Sequence, residues 1–304
     1  MMDPGALYTV EQDVWESLTD TRPVLVHLLE GYVDAGQVAR QLSEHLLESL
    51  DAELLATFDH DQLHDYRSRR PQMVFDTNTW TSLTDYRLAL HKVTDASGRP
   101  FLLLSGPEPD TQWNRACAAL LQIADGLDVS QLVTAQGVPM GVPHTRPVLV
   151  TGHATDPELV TDNPVWIDRV VVPGSFASML EYRSGQAGRL ACGFVAHVPH
   201  YLAPGTYAPG ALAVLERIRA ATGLDLPPGE LATLALQTLS QLEGEVDSDG
   251  ELGPLVQALE QQYDEVQSTG RPSVPSADEI GAAVEQFLAQ QEGDDPEGSR
   301  GTHQ

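Results

Sequence analysis

The feature that most constrains this chain is an alternation. Short apolar runs of strand length trade places with longer segments whose apolar residues recur at helical spacing. Residues 24–29 (VLVHLL) read as a strand, and Glu30-Gly31-Tyr32-Val33 turns the chain. A helix is predicted from Asp34 to about Leu50, with Val38, Leu42, Leu46 and Leu50 on one side. Asp34 is its expected N-cap, and Gln37 completes a capping-box pattern. Residues 52–58 read as the next strand. After the polar stretch 59–71, residues 86–93 and 100–104 are expected to pair as a hairpin turned by Asp95-Ala96-Ser97-Gly98. The run FLLLSGPEPD then leads into a helix, with Pro109 setting its start and Asp110 its cap.

The second half repeats this logic. Residues 131–136 and 147–151 read as strands around GVPMGVPHTRP. Residues 169–172 read as a strand before a helix capped by Ser175. Residues 189–197 form a further strand, then VPHYLAPGTYAPG and a helix to about Thr222, ended by Gly223 in the left-handed region. Strands alternating with helices predict a mostly parallel sheet covered on both faces, and the hairpin makes it mixed. Two further helices, 228–243 and 251–267, are joined by the acidic GEVDSDG and form an antiparallel pair. The expected organisation is a core over 1–223, a helical appendage over 224–268, and a flexible acidic tail over 269–304. Within the tail, 276–291 has a capped amphipathic pattern with Ile280, Val284, Phe287 and Leu288 on one face, suited to docking on a partner or on its own core.

Charge narrows the partners. Asp and Glu number 44 against 17 Lys and Arg, which repels phosphate backbones and anionic lipid surfaces. Nucleic acid and membrane are excluded as expected partners. Cys117 and Cys192 sit in apolar surroundings without metal-like spacing and read as buried small hydrophobes. With no basic start followed by an apolar run, and no long apolar stretch, a cytoplasmic protein is expected.

Ligands of α/β proteins sit at the carboxyl ends of strands. The loop GYVDAG there lacks a dinucleotide or nucleotide-triphosphate fingerprint. No GxSxG elbow exists. Glu108 and Asp110 could do acid–base work, or hold a loop. In FDHDQLHDYRSRRP, His60 and His64 share a helix face with Asp61 and Asp65 alongside, a feasible divalent-metal site if a cyclic oligomer supplies the remaining ligands. Arg67, Arg69 and Arg70 are expected to clamp this segment onto the acidic loops or to meet a partner. Two VPH tripeptides place His144 and His200 on rigid loops, expected to face one crevice, with Arg146 and Tyr201 beside them. Trp113 and Tyr201 are the aromatics able to stack a base if the crevice were enzymatic.

The ordered strings GYVDAG, FDHDQLHDYRSRRP, LLLSGPEPDTQW, GVPHTRP, VPGS, HVPHYLA and LEQQYDE resemble the bacterial, actinobacterial branch of the proteasome assembly chaperone family, second chaperone type, over roughly residues 25–265. The resemblance implies a three-layer α/β/α core like that of nucleoside phosphorylases, a C-terminal helical piece, and protein partners such as proteasome subunits. It supplies no catalytic residues. One departure is the ending, Gly301-Thr302-His303-Gln304, in place of a hydrophobic–Tyr–any tripeptide. By fold analogy a homo-oligomer, favoured as a trimer, is expected. The reading is therefore a protein-binding factor without catalytic residues or a required cofactor. The alternatives are an enzyme on a phosphorylase-like fold and a metal-binding oligomer.

Overall fold

The computed structural model describes residues 2–84, 86–161, 163, 169–248 and 252–269. Met1–Tyr263 form one compact unit and Asp264–Gln304 a second, whose described residues are the end of the last helix. The amphipathic stripe Ile280, Val284, Phe287 and Leu288 lies outside the described residues.

In chain order the elements are β1 (Tyr8–Val10), α1 (Gln12–Ser17), β2 (Val24–Glu30), α2 (Val38–Ser49), β3 (Asp51–Phe58), α3 (His60–Leu63), β4 (Met73–Asp76), β5 (Thr79–Leu83), β6 (Ala89–Thr94), β7 (Pro100–Pro107), α4 (Trp113–Gly126), β8 (Gln131–Met140), β9 (Val150–Ala154), α5 (Phe176–Gln186), β10 (Ala191–Pro199), α6 (Ala208–Thr222), α7 (Gly229–Ser248) and α8 (Leu252–Thr269). The main sheet runs β1-β3-β6-β7-β2-β8-β10-β9. Its centre, β7-β2-β8-β10, is parallel. The pairs β1/β3, β3/β6, β6/β7 and β10/β9 are antiparallel. The predicted hairpin is β6–β7, and its turn is closed by the Asp95 carboxylate, which accepts from the backbone of Ser97 and Arg99.

Period-two alternation builds the layers. Val24, Val26 and Leu28 of β2 join a core cluster under α2, α6 and α7, while Leu25 and Leu29 join one under α4 and α5. This is a three-layer α/β/α arrangement. α7 shares the first cluster through Leu231, Ala235 and Leu242. α8 buries Val256, Leu259 and Tyr263, and the Tyr263 hydroxyl donates to the Pro147 carbonyl at 3.1 Å.

Local structure departs from the sequence expectations at four places. The stretch 169–172 is not a strand: Val170, Val171 and Val172 are exposed. The outer rim of β9 is taken instead by Asn163, whose amide both accepts from and donates to the Gly152 backbone at 2.7 and 2.6 Å. The strand expected at 147–151 is shifted to Val150–Ala154. Gln37 does not complete a capping box, because it sits at φ 51° in a tight turn that delays α2. Asp110 does not cap α4, which begins at Trp113 after Gln112 at φ 56°. The hairpin β4–β5, within a stretch to which no element was assigned, stands apart from the main sheet.

Candidate functional site

An open crevice of about 890 Å³ lies at the carboxyl ends of β2, β7 and β8, where α/β folds place ligands. Asp34, Arg69, Arg70 and Asp110 from the sequence-derived set line it. Glu30, Tyr32, Arg40, Ser68 and Tyr86, which sequence reasoning did not select, line it as well. The sharp entry after β2 depends on glycine. Gly36 is at φ +68°, and a Cβ on Gly137 would stand 2.0 Å from the Ala35 carbonyl, so β8 passes the turn with bare backbone.

The acids here are occupied by the protein itself. The Asp34 carboxylate accepts from the backbone N–H of Ala39 at 2.9 and 3.1 Å, Arg40 at 3.3 Å and Gly137 at 3.2 Å. Burial raises its pKa to about 6, outweighing three hydrogen bonds that favour the charged form. Asp110 accepts from the Asp65 N–H at 2.8 Å, pairs with Arg69 at 3.0 Å and faces His64 Nδ1 at 3.3 Å. Arg69 thus holds its segment against the loop that carries Asp110. Glu108 is buried behind Gly31, accepting from the N–H of Tyr32 at 2.9 Å and from that of Phe176 at the start of α5. Arg40 pairs with Glu44 at 2.9 Å, and Arg70 is exposed on the crevice wall. Arg67 is exposed, its N–H on Asp65 Oδ1.

The remaining sequence candidates gather elsewhere. His144 and His200 do not face the crevice. His144 is buried, with its N–H and Nδ1 both on the Tyr201 hydroxyl at 3.1 and 2.7 Å, and His200 packs edge-on against the Tyr201 ring. Arg146 bonds Glu260 of α8 at 2.9 Å. These residues pin the loop after β8 under α8. Trp113 spends its indole N–H on the Pro109 carbonyl and packs edge-on against Phe176, so its ring is part of the core rim and not a stacking platform.

The rings of His60 and His64 stack at 4.2 Å, although α3 ends at Leu63 and His64 follows it in extended backbone rather than on a helix face. His64 directs Nε2 to the Arg69 carbonyl at 2.8 Å, the Asp61 carboxylate accepts from the Tyr66 hydroxyl, and Asp65 holds the Arg67 N–H. Among the described residues, no group of three His, Cys, Asp or Glu side chains is arranged to hold a metal ion.

Sequence reasoning also missed a polar row across the sheet. His27, Thr134, Gly193 and His153 are successive register partners on β2, β8, β10 and β9. A Cβ on Gly193 would meet the His153 ring at 2.3 Å, so the ring lies over the strand, with Nδ1 on Glu181 of α5. Burial, with the His153 charge adding, holds His27 at a pKa of about 3, and burial holds His197 at about 4. Both cysteine thiols are pushed up to about 12 by burial, which removes them as nucleophiles near neutral pH.

Fold and site together define an α/β/α-layered protein with a strand-end crevice braced by its own carboxylates. The chain belongs to the PAC2 family, whose sequence profile matches residues 28–246. It is similar to a Mycobacterium tuberculosis protein of unknown function, with 41% identity over 88% of this chain and 92% of that one and a TM-score of 0.84. A Corynebacterium glutamicum protein of unknown function is 36% identical over 86% of this chain and 98% of its own, with a TM-score of 0.80. A Mycobacterium tuberculosis proteasome-assembly chaperone homologue is 26% identical over 77% and 99%, with a TM-score of 0.70. The chain thus falls with the actinobacterial members of the family. No curated protein matches it. Among the described residues, no helix is long and apolar enough to cross a membrane.

Proposed function

We propose that the protein is a non-enzymatic, cytoplasmic assembly factor that binds other proteins, proteasome subunits among the candidates, and works as a homo-oligomer, with a trimer favoured. The observation that carries this reading is the hairpin β4–β5. Every one of its residues is exposed, including Met73, Val74, Phe75, Trp80 and Leu83, and Phe75 pairs with Trp80 across the strands at 4.9 Å. An isolated two-stranded hairpin is marginal in water, and an apolar one invites a protein surface. We assign it to contact between copies. The likeness to a proteasome-assembly chaperone homologue supports the assembly role. So does the internal use of Asp34, Glu108 and Asp110, which leaves these groups holding backbone in place of performing chemistry.

The test pairs light scattering with crosslinking in native cells. The double variant Phe75→Ser/Trp80→Ser is expected to fold, lose oligomer mass and shed its cellular protein crosslinks. An unchanged mass together with unchanged crosslinks would defeat the reading.

The crevice itself favours a second reading, a small-ligand protein, because it opens at strand ends and is lined by Arg69 and Arg70 from the segment after α3. Thermal stabilisation by nucleosides with phosphate would support it. A divalent ion shared at His60 and His64 between copies is the third reading. Metal analysis of the purified oligomer, with a His60/His64 double substitution, decides it.

A further inference from the structure

α6 and α7 pack together, and between them runs an apolar trough of about 480 Å³. Pro209, Leu212, Ala213 and Glu216 line one wall, and Ala232, Leu236 and Leu239 the other. These positions repeat at three, four and seven residues, so each wall is a straight helical stripe two turns, about 10 Å, long. Ala213 and Ala232 keep the floor low, which lets a third helix approach to ridge-into-groove distance. Leu236 is 70% exposed on the wall. A two-turn apolar channel between two helices has the shape of the surface that an amphipathic helix covers.

Charge selects among the helices that fit. The described residues lining the trough include the acid Glu216 and no Lys or Arg, and α7 has no Lys or Arg anywhere along it. On α6, Glu216 at the rim is matched by Arg219 at 2.9 Å. The chain as a whole has a net charge of -27. Its own segment 276–291 brings Asp278, Glu279 and Glu285 with no basic residue, and so does that of a second copy. Like charges would oppose both.

We propose that the trough is the seat of an amphipathic helix from a partner protein, with an apolar stripe of two or more turns bordered by Lys and Arg. The proposal rests on the protein-binding reading and names its mode of recognition. The stripe fills the channel over Leu236 and Leu239, and the Lys and Arg side chains face the surrounding surface of a chain with a net charge of -27. Binding weakens with salt, because that attraction acts across exposed surface.

The test uses the full-length protein and two synthetic helical peptides of about 18 residues sharing one leucine stripe, one with Lys and Arg on its polar face and its twin with Glu. Fluorescence anisotropy is expected to show the basic-faced peptide binding at least about tenfold tighter than its twin. Leu236→Gln, at an exposed position that does not disturb folding, and Ala213→Trp, which fills the channel, each weaken binding about tenfold. Phe75→Ser/Trp80→Ser leaves it unchanged.

Equal binding of both peptides, or no effect of the two trough variants, overturns the proposal. So does tighter binding by full-length Phe287→Asp/Leu288→Asp, since that shows the chain's own segment already fills the trough. The two readings fail separately. Silent trough variants beside a hairpin variant that loses its partners remove only the trough. Peptide binding in a protein with no cellular protein partner removes the assembly role.

Discussion

At the scale of single residues, the acids and histidines set opposite responses to pH. Asp34 has a folded pKa raised to about 6, so its contribution to stability is fully present below its unfolded value near 4 and is lost as pH rises through 6. His27 and His197 have folded values depressed to about 3 and 4. Their contribution is present above about 6.5 and is lost as pH falls toward those values, by at most about 1.4 kcal/mol per pH unit for each group. Between pH 4 and 6 the effects oppose one another, so variants must separate them. Asp34→Asn is expected to gain stability over the native chain as pH rises from 4 to 7. His27→Leu is expected to lose less stability than the native chain between pH 7 and 4. Urea midpoints across that range check both. Glu108 makes a third case, because it satisfies two backbone N–H groups from different loops. Glu108→Ala orphans both, and denaturant titration is expected to show a loss of roughly 2–4 kcal/mol with the slope unchanged.

At the scale of elements, β2, α2, β3, the β6–β7 hairpin, α4, β8, β10 and α6 were legible because each buries a face whose period shows in the sequence. The hairpin β4–β5 was not, because strands exposed on both faces leave no buried-face period in the sequence. Valines at 170–172 look like a strand, yet the sheet's rim there is closed by the Asn163 side chain, a long-range event no local pattern records. The crevice was half legible. Asp34, Arg69, Arg70 and Asp110 belong to strings that read as unusual, whereas Tyr86 joins them only through the fold. His144 and His200 belong to identical VPH strings, but both turn to Tyr201, one by a hydrogen bond to its hydroxyl and the other edge-on to its ring. The junction of β8 with the turn before α2 gives this scale its prediction. Gly137→Ala drives a methyl into the Ala35 carbonyl, and thermal unfolding is expected to show a loss of about 3 kcal/mol or more. An unchanged midpoint would mean that the turn yields freely.

For the whole molecule, the charge of -27 acts on every element at once. Self-repulsion of the compact state is screened by salt, so the unfolding temperature is expected to climb by several degrees between about 20 mM and 0.5 M sodium chloride. A flat response would show that the carboxylates are already compensated pair by pair.

The strand order carries a consequence for how the protein is made. β2 occupies the middle of the sheet, and the residue that bonds its backbone at His27 is Thr134, 107 positions later. While the nascent chain is still short of that point, one flank of the VLVHLL run has no neighbour to pair with and stays open to whatever meets it at the ribosome exit. Any pause in translation before β8 emerges therefore prolongs the interval in which this chain itself needs a chaperone.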